Sequence, residues 1–247
     1  MDTHMTNLFR GWLLSALLAM CGCIISCDHV VTGETRHESK SVGLGAARSV
    51  RVTLEMKAGE LKVAGGATEL LDADFTYNVP EWKPEVRYDV SGGVGNLEVE
   101  QPGSGSSTGN TRNEWDLRLN ANTPKQITVN MGAGRANLTL AGLSLSRLEL
   151  NMGAGETTVD LTGNWKNDFS GQIHGGAGKA TIRLPRDVGV HVVAHGGLGA
   201  INANGFLKQG EAYVNDQYGK SPVTLRIEVE GGVGEIDLEL GGEPAAA

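Results

Sequence analysis

An all-β fold of stacked, near-equivalent coils is predicted by three features of this sequence. A Gly-x-Gly motif recurs along the chain, each copy is flanked by alternating apolar and polar residues, and the shortest step between copies is 21 residues. Glycine contributes 36 of 247 residues, well above its usual share of about 7%. There is no Gly-X-Y period, so collagen is excluded, and aromatics at 5% argue against a core built on rings. A chain of this length accommodates one large or two ordinary domains, and β architectures of this size are often single.

The N-terminus stands apart from the repeat. Residues 11–26 (GWLLSALLAMCGCIIS) form an uncharged apolar run after Arg10, the pattern of a secretory signal and short for a membrane span of about 20 residues. Met5 offers an alternative start with a cleaner basic region. The three cysteines, Cys21, Cys23 and Cys27, all fall in residues 1–27, so the mature domain is expected to use neither disulfides nor thiol chemistry. Ile24-Ile25-Ser26-Cys27 resembles a bacterial lipobox, with Cys23 after Gly22 as a competing site. Lipidation at Cys27 would hold the domain at an envelope membrane, each buried methylene adding about 0.8 kcal/mol. Residues 28–45 are polar and read as a tether.

From there the repeat takes over. ITVNMGAGRANLTL (127–140), LELNMGAGETTVDL (148–161), GQIHGGAGKATIRL (171–184), VVAHGGLGAINANG (192–205) and IEVEGGVGEIDLEL (227–240) superpose without gaps. YDVSGGVGNLEVEQ (88–101) fits as well, and VTLEMKAGELKVAG (52–65) fits without the first glycine. With the two-residue period of strands, Val129, Leu150, Ile173, Ala194 and Val229 share one apolar column before the turn. Leu138, Val159, Ile182, Ala203 and Leu238 share another after it, with polar residues between. No copy can bury its apolar face alone, so copies must stack about 4.8 Å apart. The glycine pairs Gly132/Gly134, Gly153/Gly155, Gly176/Gly178, Gly197/Gly199 and Gly232/Gly234 then shape corners, through positive φ or close approach of neighbouring coils. The prediction is a β-solenoid of two-strand coils over residues 46–241, with inserted hairpins and a tail at 242–247. An antiparallel β-sandwich carries the same alternation and stays open.

The repeated [NH]-[MG]-G-[AL]-G followed by alternating strands resembles the toastrack family over about residues 46–241. That domain also forms the C-terminal part of LiaF-type cell-envelope stress regulators and occurs in adhesin-head proteins. The resemblance implies a noncatalytic extracytoplasmic module and supplies no catalytic residues. A lipobox-like signal stands here where LiaF-type proteins have a transmembrane bundle.

Chemical motifs are sparse. A phosphate loop needs G-x-G-x-x-G or G-x-x-x-x-G-K-[ST] opening a helix; here the sixth positions are Asn137 and Thr158, and strand follows. Calcium β-rolls need an Asp where these copies place Leu97, Ala180, Ile201 and Ile236. A net charge of -8 disfavours nucleic acid. Asp72/Asp74, Glu235/Asp237 and Asp237/Glu239 have the spacing of paired acids, which a solvated strand face also produces. The outward column Asn130, Asn151, His174, His195 and Glu230 is expected to form a polar ladder. Its two histidines, if on adjacent coils with His191 nearby, could share a metal, although no metal or cofactor is assigned. Trp82, between Pro80 and Pro84, and Tyr213, in an aromatic-rich insertion, are candidate contact residues or caps over strand edges. These readings converge on a noncatalytic envelope-anchored interaction or sensing module, with an unidentified envelope protein or glycan as partner. A polysaccharide-active enzyme and a surface adhesin are the alternatives.

Overall fold

The computed structural model describes residues 32–103 and 110–241. The signal segment, Cys27 and the tail at 242–247 lie outside the described residues. Among the described residues thirteen strands form one mixed sheet: β1 (Arg36–Val42), β2 (Ser49–Gly65), β3 (Leu71–Tyr77), β4 (Glu85–Ser91), β5 (Val94–Glu100), β6 (Asn113–Leu119), β7 (Lys125–Thr139), β8 (Leu145–Asp160), β9 (Phe169–Leu184), β10 (Gly189–Asn204), β11 (Leu207–Gln209), β12 (Ala212–Val214) and β13 (Thr224–Leu240). A single 3-10 turn, Pro80–Trp82, interrupts the β structure among the described residues. None of the described helical segments is long and apolar enough to cross a membrane.

Six strands of 15–17 residues each run through a Gly-x-Gly motif or its equivalent, and they stack in parallel in the order β2-β7-β8-β9-β13-β10. Their register keeps the motifs aligned: Gly134 pairs with Gly155, Gly155 with Gly178, Gly178 with Gly234, and Gly199 with Gly234. Residues 140–144 return the chain from the second half of β7 to the first half of β8, so a strand and its connection make one coil. The expected apolar columns are the core, with Val129, Leu150, Leu138, Val159 and Ile182 all buried. The solenoid reading therefore holds, and the sandwich alternative does not.

One feature of the stack departs from sequence order. The C-terminal strand β13 inserts between β9 and β10. The outward faces supply a reason. β13 carries Glu228, Glu230, Glu235, Asp237 and Glu239, whereas β9 carries His174, Lys179 and Arg183, and β10 has no acid or lysine at all. Insertion sets Lys179 3.1 Å from Glu235 and Arg183 3.1 Å from Glu239. Stacking outside β10 would forfeit both pairs. Each exposed pair contributes only about 0.2–1 kcal/mol, but together they favour this order over the sequential one.

The end of the stack at β2 is thickly covered. β5 pairs along its first half and β6 along its second, with β4 outside β5 and then β3 and β1 outside β6. Three expectations are corrected here. Residues 36–42, assigned to the tether, form β1, because Ser39 and Ser41 donate to Asp74 and Asp72 across the pair. The copy at 88–101 is a hairpin: Gly92 and Gly93, at φ 60° and 81°, make the two-residue turn between β4 and β5, and Gly95 lies within a strand opposite Val50. Trp82 is only 1% exposed. It is a buried part of this cap and presents no contact surface. Trp115 is buried too, edge-on to Phe75 at 5.6 Å.

Candidate functional site

The site grows out of how each corner is made. Gly155 has φ 133°, and a Cβ there would lie 1.9 Å from the carbonyl oxygen of Gly134 on the adjacent strand. Gly153 needs no positive φ, yet its Cβ would lie 2.4 Å from the Gly132 oxygen. The second glycine thus serves both tasks expected of it, bend and close approach, and the first serves only close approach. The same contacts recur at the other aligned pairs. Lacking side chains, Gly132, Gly153 and Gly176 leave a furrow across the strands on the outer side of the corner.

That furrow is an open groove of about 700 Å³. Asn130, Asn151 and His174 stand along it, one strand apart, and Glu55, Lys57 and Glu100 close one end. Asn151 Nδ2 donates to Asn130 Oδ1 at 2.9 Å, the hydrogen-bonded ladder expected of this column. His174 Nδ1 lies 3.1 Å from Glu230 Oε2. The insertion of β13 changes the rest of the column. His174 and His195 are not on adjacent coils: Glu230 stands between them, in register with both. Two strand spacings of about 4.8 Å separate the histidine backbones, with the Glu230 side chain, already bound by His174, standing between them. His191 is turned to other work, its ring 5.2 Å from that of Tyr218. Among the described residues no group of three or more His, Cys, Asp or Glu side chains is arranged to hold a metal.

At the closed end the sequence pattern missed two residues. β5 stops at Glu100 and β6 starts at Asn113, so among the described residues no strand passes over the corner of β2. Gln101 and Asn113 replace it. Gln101 Oε1 accepts from the backbone N–H of Lys57 at 2.8 Å and of Ala58 at 3.2 Å, and Asn113 Nδ2 donates to Ala58 O at 2.8 Å. The gap also explains why this copy has Lys57 where the others have their first glycine: its side chain has room, and Nζ donates to Gly103 O. Repeat alignment could not find Gln101 and Asn113, because their role arises where the repeat is absent.

The remaining candidates sit elsewhere. Tyr213, in β12, is half-buried against the core with Lys208 Nζ 5.5 Å from its ring centre, so it forms part of a short cap over β10. The paired acids are engaged on the open sheet face. Asp72 and Asp74 accept from Ser41 and Ser39, and Arg118 also bridges to Asp74. Lys179 beside Asp237 holds that carboxyl below its ordinary range. Ile236, in the slot where a calcium roll needs Asp, is buried.

Comparison with known proteins agrees with this architecture. A solved structure from Clostridium sporogenes, described as a "putative cell adhesion protein", is 37% identical, with a TM-score of 0.82, covering 84% of this chain and 100% of that one. A "putative adhesin" from Bacteroides fragilis aligns over 83% of this chain and 97% of that one, but at 8% identity and a TM-score of 0.32, from which nothing functional follows. No curated protein matches the chain. The model of the N-terminal domain of toast_rack, DUF2154, matches residues 31–183, and with the aligned glycine corners and the Clostridium structure this places the chain in the toast_rack family.

Proposed function

We propose that this protein is a noncatalytic, adhesin-like recognition module, displayed at the bacterial envelope through lipidated Cys27. The observation that carries the reading is the corner groove, where Asn130, Asn151 and His174 repeat at strand spacing on a backbone that the glycines hold in one shape. Such a row of donors and acceptors suits an extended polymer, an envelope glycan or an unfolded peptide, laid along the stack. The 37% identical structure described as a "putative cell adhesion protein" supports the same role. Asp237 does not suit a glycosidase's general acid: that role needs a raised pKa, and Lys179 shifts Asp237 the other way. A role in envelope-stress sensing would use the same groove, with occupancy as the signal.

The test presents the purified protein on beads to cells and to immobilised envelope glycans. Capture should fall at least tenfold in the triple variant Asn130→Ala, Asn151→Ala, His174→Ala. Undiminished capture would remove the groove from the mechanism, and glycan cleavage abolished by one Asp or Glu substitution would replace recognition with catalysis. Cys27→Ser should abolish incorporation of labelled fatty acid and release the protein from membranes; labelling that persists until Cys23 is also replaced would move the anchor there.

A further inference from the structure

We propose that the free edge of β10 is a self-association surface, through which two copies of this chain pair edge to edge about a two-fold axis. β10 is bonded along its length to β13 on one side. On its other side β12 covers only His191–Val193. Among the described residues no strand pairs with that side of residues 194–204.

Other terminal strands of the sheet are guarded. β1 carries Arg36, His37, Glu38 and Lys40, and β4 carries Glu85, Arg87 and Asp89. Charged side chains on an edge resist pairing with another chain. The stretch from Ala194 to Asn204, AHGGLGAINAN, has no Lys, Arg, Asp or Glu. It is also apolar at the corner, where Leu198 is 74% exposed beside Val233 at 55%. The core is open at this end: Ile201 and Ala203 are only half-buried, whereas their neighbours Ile236 and Leu238 on β13 are 4% and 1% exposed. An edge with neither charge nor cover is a template for a further strand.

A second copy fits this edge because the segment matches itself. Antiparallel pairing of residues 200–204 with their own equivalent sets Asn202 against Asn202, Ile201 against Ala203, and Ala200 against Asn204. No like charges meet, and Ile201 and Ala203 gain cover on the side that the chain leaves open. The hairpin of β11 and β12 pairs with His191–Val193, and at the far end of the stretch Phe206 N–H turns back to donate to Ala203 O at 3.3 Å.

The experiment measures the mass of the full-length chain in detergent by sedimentation and native mass spectrometry, with thermal melts to confirm folding. The unaltered chain should dimerise reversibly. Ala200→Lys with Asn204→Lys sets lysine against lysine across the axis and should weaken dimerisation at least tenfold without lowering the melting temperature. Ala200→Lys with Asn204→Glu places opposite charges in the same positions and should restore it. A monomeric unaltered chain would overturn the proposal. So would a Lys/Lys variant that dimerises as the unaltered chain does, or a Lys/Glu variant no better than Lys/Lys.

Discussion

Across β2, β7 and β8 the inside of the corner is filled by Met56, Met131 and Met152; across β9, β13 and β10 the same column is Gly175, Gly231 and Gly196. The three methionines are 2–6% exposed and close the angle between the two strand halves. Where they end, a cavity of about 40 Å³ opens, lined by Leu150, Ile173 and Val229 among others. The bend itself is the same in both regions, with φ of 128–144° at Gly59, Gly134 and Gly155 and 136–150° at Gly178, Gly234 and Gly199. Ile236 and Ile201 reach towards Gly231 and Gly196, but nothing fills the corner at Gly175, and Gly178 bends there all the same, so apolar filling is not what turns the chain. The close packing of backbone on backbone turns it, and the filling adds stability afterwards.

The sharpest way to break this comparison is at the bend. Gly155→Val demands a positive φ of a β-branched residue and drives its Cβ into the Gly134 carbonyl; the cost should exceed about 4 kcal/mol. Loss of a cooperative urea transition would show it, and an unchanged midpoint would refute the corner argument. Next in size is the filled half. Met152→Ala should cost about 2–4 kcal/mol by cavity creation, read from the same urea titration.

The filled half also buries a cation. Lys125, at the start of β7, is 1% exposed, its Nζ donating to the carbonyls of Asn120 and Thr123, and burial pushes its pKa down to about 8. Between about pH 8 and the unfolded value of 10.5 the unfolded chain binds more protons than the folded one, so stability rises with pH across that window. At about 1.4 kcal/mol per unit the gain is at most about 3.5 kcal/mol. Lys125→Met should flatten the profile from pH 8 to 10; a profile as steep as before would exclude Lys125 as its source.

The smallest effect tests the hollow half. Around Gly175 a Cβ would meet only the Glu230 carbonyl oxygen, at 3.8 Å, and its φ is not positive. Gly175→Ala should stabilise by about 0.5–1 kcal/mol, measured by the shift in urea midpoint. At the next residue Gly176→Ala should destabilise, since its Cβ would sit 2.2 Å from the Gly153 oxygen. Opposite signs at neighbouring glycines would separate the backbone seam from the space inside it.

Much of this was legible beforehand. Val129, Leu150 and Ile173 fell into one column because side chains alternate with period two, and Gly134, Gly155 and Gly178 aligned because each coil repeats the same bend. The ladder of Asn130 and Asn151 followed from the same two rules. Of the two readings of Trp82, contact residue or cap, the structure takes the second; flanking prolines mark a loop but say nothing of what packs over it. The copy at 88–101 misled because Gly-Gly serves a hairpin turn as readily as a corner. Sequence order sets His174 and His195 on successive coils, and stacking order does not follow it.

The sequence by itself thus determined the coil: the strand faces, the step near 21 residues, and the need for glycine at each bend, all local consequences of side-chain alternation and backbone sterics. Tertiary structure alone decided which coil lies beside which. That choice rests on contacts between distant segments, where the acids of β13 meet Lys179 and Arg183 of β9. It placed Glu230 between two histidines, left Gln101 and Asn113 to complete a corner where the repeat is absent, and left one side of β10 free.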